Sequence, residues 1–502
     1  MKHIKTYGAE IEKPVADKNT SLPHKTSQEF FEKLKKEAEK RNTFVKVHKS
    51  DLKPEVSLGV ISSDLGEQGL DNGFNLLESS LAYKTSLSDL QKSINTDLAM
   101  TQKLLAKENA SLFNLSIHPL GERDLATYEQ FVAPKGVYPF IWYRGWDHTA
   151  GIDARAQNSP STGVSVSDAA DAVSVIIGAG ASFIGLFGNG PYENGQRSAY
   201  KEARCTMWER MMKYSSIEGD RKVSRFPEKR FKTLAQYFTW LFGGNTAIWF
   251  TITSGDGKDY KGIGDRIILI ESNPSVLQFL SKPSWQGMFL KDILNNFPAK
   301  TQEVTPHISH MTTLQFAQFI GARIRFGLKD QDNFPIKEFV QACKKETEKK
   351  VEDIFSKFAE FMYIEGRDAG ANFPDKEINN VGTDIAESVV IAPSALQAGL
   401  LQNLPKAVSY IDSFEWNQLT ILREKAIRDG LMDNKVYEFT KKIVELAAEG
   451  LASDEQKMLA YPEWVLKTRK NGADRAIEFV ENHKGNLKQA LKDLIQYRTI
   501  VV

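Results

Sequence analysis

The sequence predicts an α+β protein in which strands and helices interleave first and a helical block closes the chain. Three observations carry that prediction. Residues 8–12 (Gly-Ala-Glu-Ile-Glu) and 363–367 (Tyr-Ile-Glu-Gly-Arg) alternate as strands do. Runs with apolar residues at helical spacing separate the extended segments. From about Trp416 onward every periodic stretch is helical.

Taken in order, the strand at 8–12 is followed by Thr26-Ser27-Gln28-Glu29, a capping box, with Phe30, Phe31, Leu34 and Ala38 on one helical face. Extended segments are expected around 43–47 and 55–62. A third, Asn75-Leu76-Leu77-Glu78-Ser79-Ser80, carries one more acid. Residues 114–161, with Tyr138, Phe140, Trp142, Tyr143 and Trp146, read as a long lining loop. A strand is expected at 162–166, and Ser167-Asp168 caps a helix from Ala169. The apolar stretch 173–188 is shorter than the roughly 20 residues that span a bilayer and reads as a buried helix. A short strand is expected at 267–271.

Further on, Val351, Ile354, Phe355 and Phe358 give the lysine-rich stretch 344–360 one apolar helical face. Val436, Phe439, Ile443 and Leu446 form another stripe, which stops at Gly450, and 453–456 reads as a cap. There is no internal repeat. The division expected is a catalytic domain over 1–410 and a helical block over 411–502 packed on it.

Composition narrows the function classes. The chain has 502 residues, 41% hydrophobic and 26% charged, which excludes wholesale disorder. A net charge of +1 offers no electrostatic footprint for nucleic acid. Two cysteines, Cys205 and Cys343, make no disulfide framework and suit a reducing cytoplasm. The first residues lack the apolar core of a signal peptide, so neither membrane nor export is expected.

On a strand, residues two apart share a face, so Glu10 projects with Glu12, and Glu365 with Arg367. Such groups are costly to bury unless something cationic and something anionic sits between them. Magnesium carrying a nucleotide polyphosphate meets both needs. His307 and His310 have metal-like spacing, but no third nitrogen or sulfur ligand follows at a zinc-like interval. Gly178-Ala179-Gly180 lacks the third glycine of a dinucleotide loop and reads as close helix packing. Gly257-Lys258-Asp259 lacks the hydroxyl of a phosphate loop. Arg204 and Trp208, four apart, share a helical face: a carboxylate clamp with an aromatic wall, or a surface stack. Cys205 beside Arg204 reads as a buried, inert thiol.

In order, these pieces resemble the glutamate–cysteine ligases of plants and many bacteria. The family's opening Gly-x-Glu-x-Glu strand is similar to Gly8–Glu12, and its second acidic strand to Leu76-Leu77-Glu78. Its Asn-Ser-Pro-Phe turn resembles Asn189-Gly190-Pro191-Tyr192, and its Arg-x-x-x-Trp resembles Arg204 and Trp208. His310-Met311-Thr312-Thr313 looks like its His-Leu-Thr-Thr segment, and 363–367 like its Tyr-Leu-Glu-x-Arg strand. Ala392 to Leu400 resembles its Pro-Ala-x-x-x-Gly-Leu-Leu helix. The chain departs from the pattern in three places. Gly190 replaces a serine, Thr162–Ser167 carries serines where the family strand has amides, and a lysine-rich insertion lies between Thr313 and Tyr363.

The resemblance implies a curved, mainly antiparallel sheet like the catalytic funnel of glutamine synthetase, wrapped by helices. It implies ATP-dependent joining of the γ-carboxylate of L-glutamate to the amine of L-cysteine through a γ-glutamyl phosphate, the first step of glutathione synthesis. Magnesium, or manganese in its place, would be held by Glu10, Glu12, Glu78 and Glu365. Arg367 would steady the transferred phosphoryl group, with His310 and Asn189 near the nucleotide and Glu365 also catalytic. Arg204 and Trp208 would hold glutamate. A monomer or homodimer is expected. Rival readings are a ligase using another amine, motivated by the serines near Ser165, and a non-catalytic relative that binds nucleotide or glutamate.

Overall fold

The computed structural model describes residues 5–244, 267–298 and 301–501. Gly257-Lys258-Asp259 therefore lies outside the described residues.

The first strand, β1 (Tyr7–Asp17), is the spine of the molecule. Its odd positions, including Ala9, Ile11 and Val15, are buried on one face, while Glu10 and Glu12 project from the other. Proline in a central strand normally breaks a ladder. Here the Glu12 amide donates to the carbonyl of Gln157 (3.0 Å) and the Val15 amide to that of Asn75 (3.1 Å). Position 14 thus faces the gap between two partner strands, where a missing N–H costs no ladder bond.

Eight further strands complete the sheet: β2 (Val45–Lys49), β3 (Ser57–Ser62), β4 (Gly66–Leu70), β5 (Leu76–Leu81), β6 (Ala110–Leu112), β7 (Asn158–Gly163), β8 (Ala322–Leu328) and β9 (Ala359–Gly366). The order is β8-β9-β7-β1-β5-β4-β3-β2, with β6 on the far end of β1, and all the pairings are antiparallel. The mixed α/β architecture with a large antiparallel sheet agrees with the expected class.

Register sets the rows of side chains on the open face. Glu12 pairs with Glu78, Glu10 with Ser80 and Ser159, and Glu365 with Arg323 and Ser161. Across β1 the row of Glu365 continues into Gly8, so small residues leave a trough in the middle of the sheet. On the opposite face, Lys13 Nζ meets Asp97 Oδ2 of the helix Leu87–Leu105 at 2.6 Å and Ser79 Oγ at 2.5 Å. This buried cluster ties β1 and β5 to one helix, behind the row that sets Glu12 beside Glu78.

Several elements differ from expectation for identifiable reasons. The expected loop 114–161 contains the helices Leu125–Phe131 and Val137–Tyr143, whose Tyr128, Phe131, Val137 and Phe140 are buried. The strand expected at 162–166 is β7, which ends at Gly163. Ser165 and Ser167 instead form a turn whose hydroxyls bond each other and Asp168. The expected single helix at 173–188 is two, Ala169–Gly178 and Gly180–Phe187, bent by 47°. A Cβ at Gly178 would sit 2.8 Å from Ile411, and one at Gly180 would strike the Asp368 carboxylate, so both glycines permit close packing.

The lysine-rich insertion is built from β8 and the helices Ile336–Cys343 and Lys350–Phe358. Phe339 and Phe355 stack around Phe238, 5.8 and 5.1 Å away, on the side of the sheet carrying Phe326. From Lys376, not Trp416, the described regular elements are all helices. One of them, Trp416–Asp429, is anchored by Arg423, which reaches Asp368 just past β9 at 2.7 Å. No single described helix is long and apolar enough to cross a membrane.

Candidate active site

The open face of the sheet forms the floor of a cavity of about 530 Å³. Glu10, Glu12 and Glu78 rise from β1 and β5, joined by Glu67 of β4 and by Asp71 in the turn that follows it. The Asp71 amide donates to Leu76 O, and this turn swings its carboxylate back over β5. Glu12, Asp71 and Glu78 each offer an oxygen within 4.8 Å of the others. Burial, then the charges of Asp71 and Glu78, push Glu12 well above the usual carboxylate range. Burial and the neighbouring Glu365 and Glu78 raise Glu10 to about 7. Arg367 and Arg204 offset part of the rise at Glu12, and Arg323 and Arg325 part of that at Glu10.

The other end gathers guanidiniums around one carboxylate. Glu365 is 1% exposed and does not line the cavity. Arg323 grips it through Nη2 (2.5 Å) and Nε (2.9 Å), Arg367 through Nη1 (2.8 Å), and Arg325 stands 3.6 Å off. These guanidiniums overcome the cost of burial and hold Glu365 down to about 2. All three arginines line the cavity. Burial and the charge of Arg323 lower Arg367 despite its acidic neighbours Glu365, Glu10 and Glu12.

Arg204 sits in the 3-10 turn Ala203–Thr206 and Trp208 in the helix Met207–Met212, both on the wall. Arg204 donates Nη1 to the side chain of Gln157 (3.1 Å) and Nη2 to the Arg367 carbonyl (3.3 Å), while its buried Nε has no hydrogen-bond partner. Trp208 stacks on Phe319 with centroids 4.0 Å apart. Gln157, just before β7, brings the amide to this wall that the expectation had sought at 162–167. Ser165 and Ser167 lie outside the sheet.

Glu10, Glu12, Glu78, Arg204, Trp208 and Arg367 thus converge on one cavity, while Glu365 lies beneath its arginines, Arg323, Arg325 and Arg367. Two expected residues do not reach it. Asn189 is fully buried, donating to Asn114 Oδ1 and Ala371 O at 2.9 Å and accepting from Arg498 at 3.1 Å. Its amide is spent on joining the C-terminus to the sheet. His310 turns its ring onto Phe279, with centroids 5.0 Å apart, and its Nδ1 to the His307 backbone, while Ser309, Thr312 and Thr313 line the cavity instead. His307 accepts from the Ser309 amide and caps the helix Ile308–Leu314, which accounts for the histidine spacing. Burial raises the Cys205 thiol to about 11, in keeping with an inert role.

The sequence reading missed Asp71, Glu67, Lys135, Gln157, Arg323 and Arg325. The alternation Arg323-Ile324-Arg325-Phe326 was a legible strand signal. Asp71 carried none, because its position depends on the turn.

No protein-family model and no curated protein matches the sequence. Among solved structures, the chain is similar to a glutamate–cysteine ligase from Francisella tularensis in complex with AMP, at 12% identity and a TM-score of 0.49, covering 99% of this chain and 88% of that one. It is also similar to a bifunctional glutathione synthetase from Pasteurella multocida, at 11% identity and a TM-score of 0.42, covering 98% of this chain and 52% of that one.

Proposed function

We propose that this chain is an ATP-dependent ligase that joins the γ-carboxylate of L-glutamate to the amine of L-cysteine. The observation that carries the reading is the charge separation within one cavity. Carboxylates gathered at one end, with Glu10 and Glu12 raised by burial and by their acidic neighbours, face three guanidiniums gathered around Glu365 at the other, and a magnesium–polyphosphate complex suits both. The ordered motifs of the sequence supply the choice of glutamate and cysteine.

The donor set fits magnesium, since Glu12, Asp71 and Glu78 offer only oxygen and stand close enough to share one ion. Glu10, two residues before Glu12 on the same face of β1, would add a further oxygen, and manganese suits the same oxygens. When bound, the metal neutralises phosphate charge and draws the nucleotide into register. Arg323, Arg325 and Arg367 then hold the oxygens of the transferred phosphoryl group, whose planar forks match its geometry. Glu365 fixes where those forks point. Arg204 holds a carboxylate of glutamate, with the Trp208–Phe319 stack as an apolar wall along its methylenes.

The chemistry requires these parts. A free carboxylate does not exchange oxide for an amine, so its oxygen must first be phosphorylated, after which the amine attacks and phosphate leaves. Phosphoryl transfer asks mainly for positioning and charge neutralisation, and this cavity is arranged for both. The test is ADP release with glutamate and a panel of amines, with and without EDTA. Release that needs glutamate, an amine and magnesium, and is fastest with cysteine, is expected. Nucleotide binding without turnover under every combination would replace the ligase with a binding protein.

A further inference from the structure

His148 belongs to the cavity wall, and the proposed reaction has not yet used it. It opens the 3-10 turn His148–Gly151 and is 4% exposed. Its Nδ1 lies 2.9 Å from the hydroxyl of Tyr128, which accepts from Trp142 Nε1 at 3.0 Å. Indole N–H groups only donate. The Tyr128 hydroxyl therefore accepts from Trp142, and its single hydrogen has His148 Nδ1 as its one available acceptor among the described residues. The relay Trp142 to Tyr128 to His148 thus leaves Nδ1 unprotonated and places the ring hydrogen on Nε2. Tyr138 covers the ring at a centroid distance of 4.1 Å, inclined by 44°. Burial and the nearby Lys135 charge hold the imidazole neutral, its pKa lowered to about 3.

The hydrogen bond that His148 makes among the described residues is at Nδ1, which leaves Nε2 facing the cavity that the residue lines. A neutral N–H donor, fixed in direction, nine-tenths buried and standing on a cavity wall, fits one kind of group: an oxygen acceptor on a substrate. The proposed reaction supplies the choice. Phosphate oxygens have the arginines of β8 and β9, and glutamate has Arg204. The anion without a partner is the carboxylate of the amine substrate. The Asp147 amide donates to Met211 O at 2.8 Å, which binds the His148 turn to the helix carrying Trp208. This donor therefore stands beside the glutamate wall, where the attacking amine must arrive.

We propose that His148 uses its Nε2–H to bind the carboxylate of the acceptor amino acid, with Tyr128 and Trp142 fixing the ring for that task. The proposal rests on the ligase reading and adds to it a residue that selects amino acids over simple amines.

The test compares L-cysteine with cysteamine, the same amine without its carboxylate, by ADP release in the full chain. Loss of a hydrogen bond to a charged group corresponds to about 10- to 100-fold, so His148→Leu is expected to raise the KM for cysteine by that factor. The KM values for cysteamine, glutamate and MgATP should stay within about twofold. His148→Gln, which offers an amide N–H at similar reach, should recover part of the loss. Tyr128→Phe, which frees the tautomer, should raise the cysteine KM to a lesser degree and serves if the leucine variant does not fold. Equal changes for cysteine and cysteamine, or a rise confined to glutamate or MgATP, would overturn the role of His148. Absence of ADP release from the unaltered chain with any amine would overturn the ligase reading itself, and this proposal with it.

Discussion

Replacing Glu365 by glutamine leaves Arg323, Arg325 and Arg367 facing one another with no carboxylate between them. Glu365 is 1% exposed, and its pKa falls from 4.5 to about 2 because those guanidiniums favour its charged form. That shift corresponds to about 3 kcal/mol, and breaking a buried ion pair costs roughly 3–5 kcal/mol. The sign follows from proton counts. A carboxylate held below its unfolded value binds fewer protons in the folded state, so its contribution is whole above about pH 4.5. It is lost as pH falls toward about 2. Urea unfolding is the assay. For a chain of this size the denaturant slope exceeds about 3 kcal/mol per molar, so Glu365→Gln should lower the midpoint at pH 7 by up to about 1 M. The gap between the two proteins should narrow as pH falls below about 4.5. Turnover should be lost even where the variant remains folded, because the arginines lose their aim. Equal midpoints at pH 7, or a gap indifferent to pH, would refute the reasoning.

Other perturbations address separate parts of the structure. Asp71→Asn should raise the magnesium needed for half-maximal thermal stabilisation by at least about tenfold, since even residues behind a metal ligand cost that much; a titration of melting temperature against magnesium checks it. Lys13→Met should destabilise more than the double variant Lys13→Met/Asp97→Leu, because the single change strands a buried carboxylate and the double removes both charges. Their melting temperatures, in that order, are the readout. Gly399→Ala drives a Cβ into the backbone of Ala447, where the helices Ala392–Gln402 and Asn434–Gly450 cross. It should cost roughly 1–3 kcal/mol in unfolding by denaturant, with the magnesium response unchanged.

How far the sequence was legible follows from what each signal depends on. β1, β5 and β9 were readable because alternation is local, and acids two apart must share a face. The capped helix Gln28–Glu39 was readable for the same reason: its N-cap, Ser27, and its buried stripe lie within twelve residues of each other. Asp71 was not, because a turn residue acquires its direction only when the chain closes on Leu76. Arg323 and Arg325 were hidden by their lysine-rich neighbours, which drew attention from the alternation of β8. Asn189 and His310 misled for the opposite reason. Their residue types suit a phosphate site, but a buried amide or imidazole is also a common way to satisfy backbone groups. The resemblance placed them by chain order alone, and chain order carries no information about which way a side chain turns. Glu365 was placed in the right neighbourhood but given to metal, since the sequence does not show that three guanidiniums reach it first.

The central claim is that glutamate's carboxylate is phosphorylated between the acids of β1 and β5 and the arginines of β8 and β9. Its most direct test is positional isotope transfer with glutamate carrying ¹⁸O in the γ-carboxylate, followed by mass analysis of the phosphate released during turnover. The account predicts one labelled oxygen in each phosphate formed with the amide product. Unlabelled phosphate released alongside amide would contradict it.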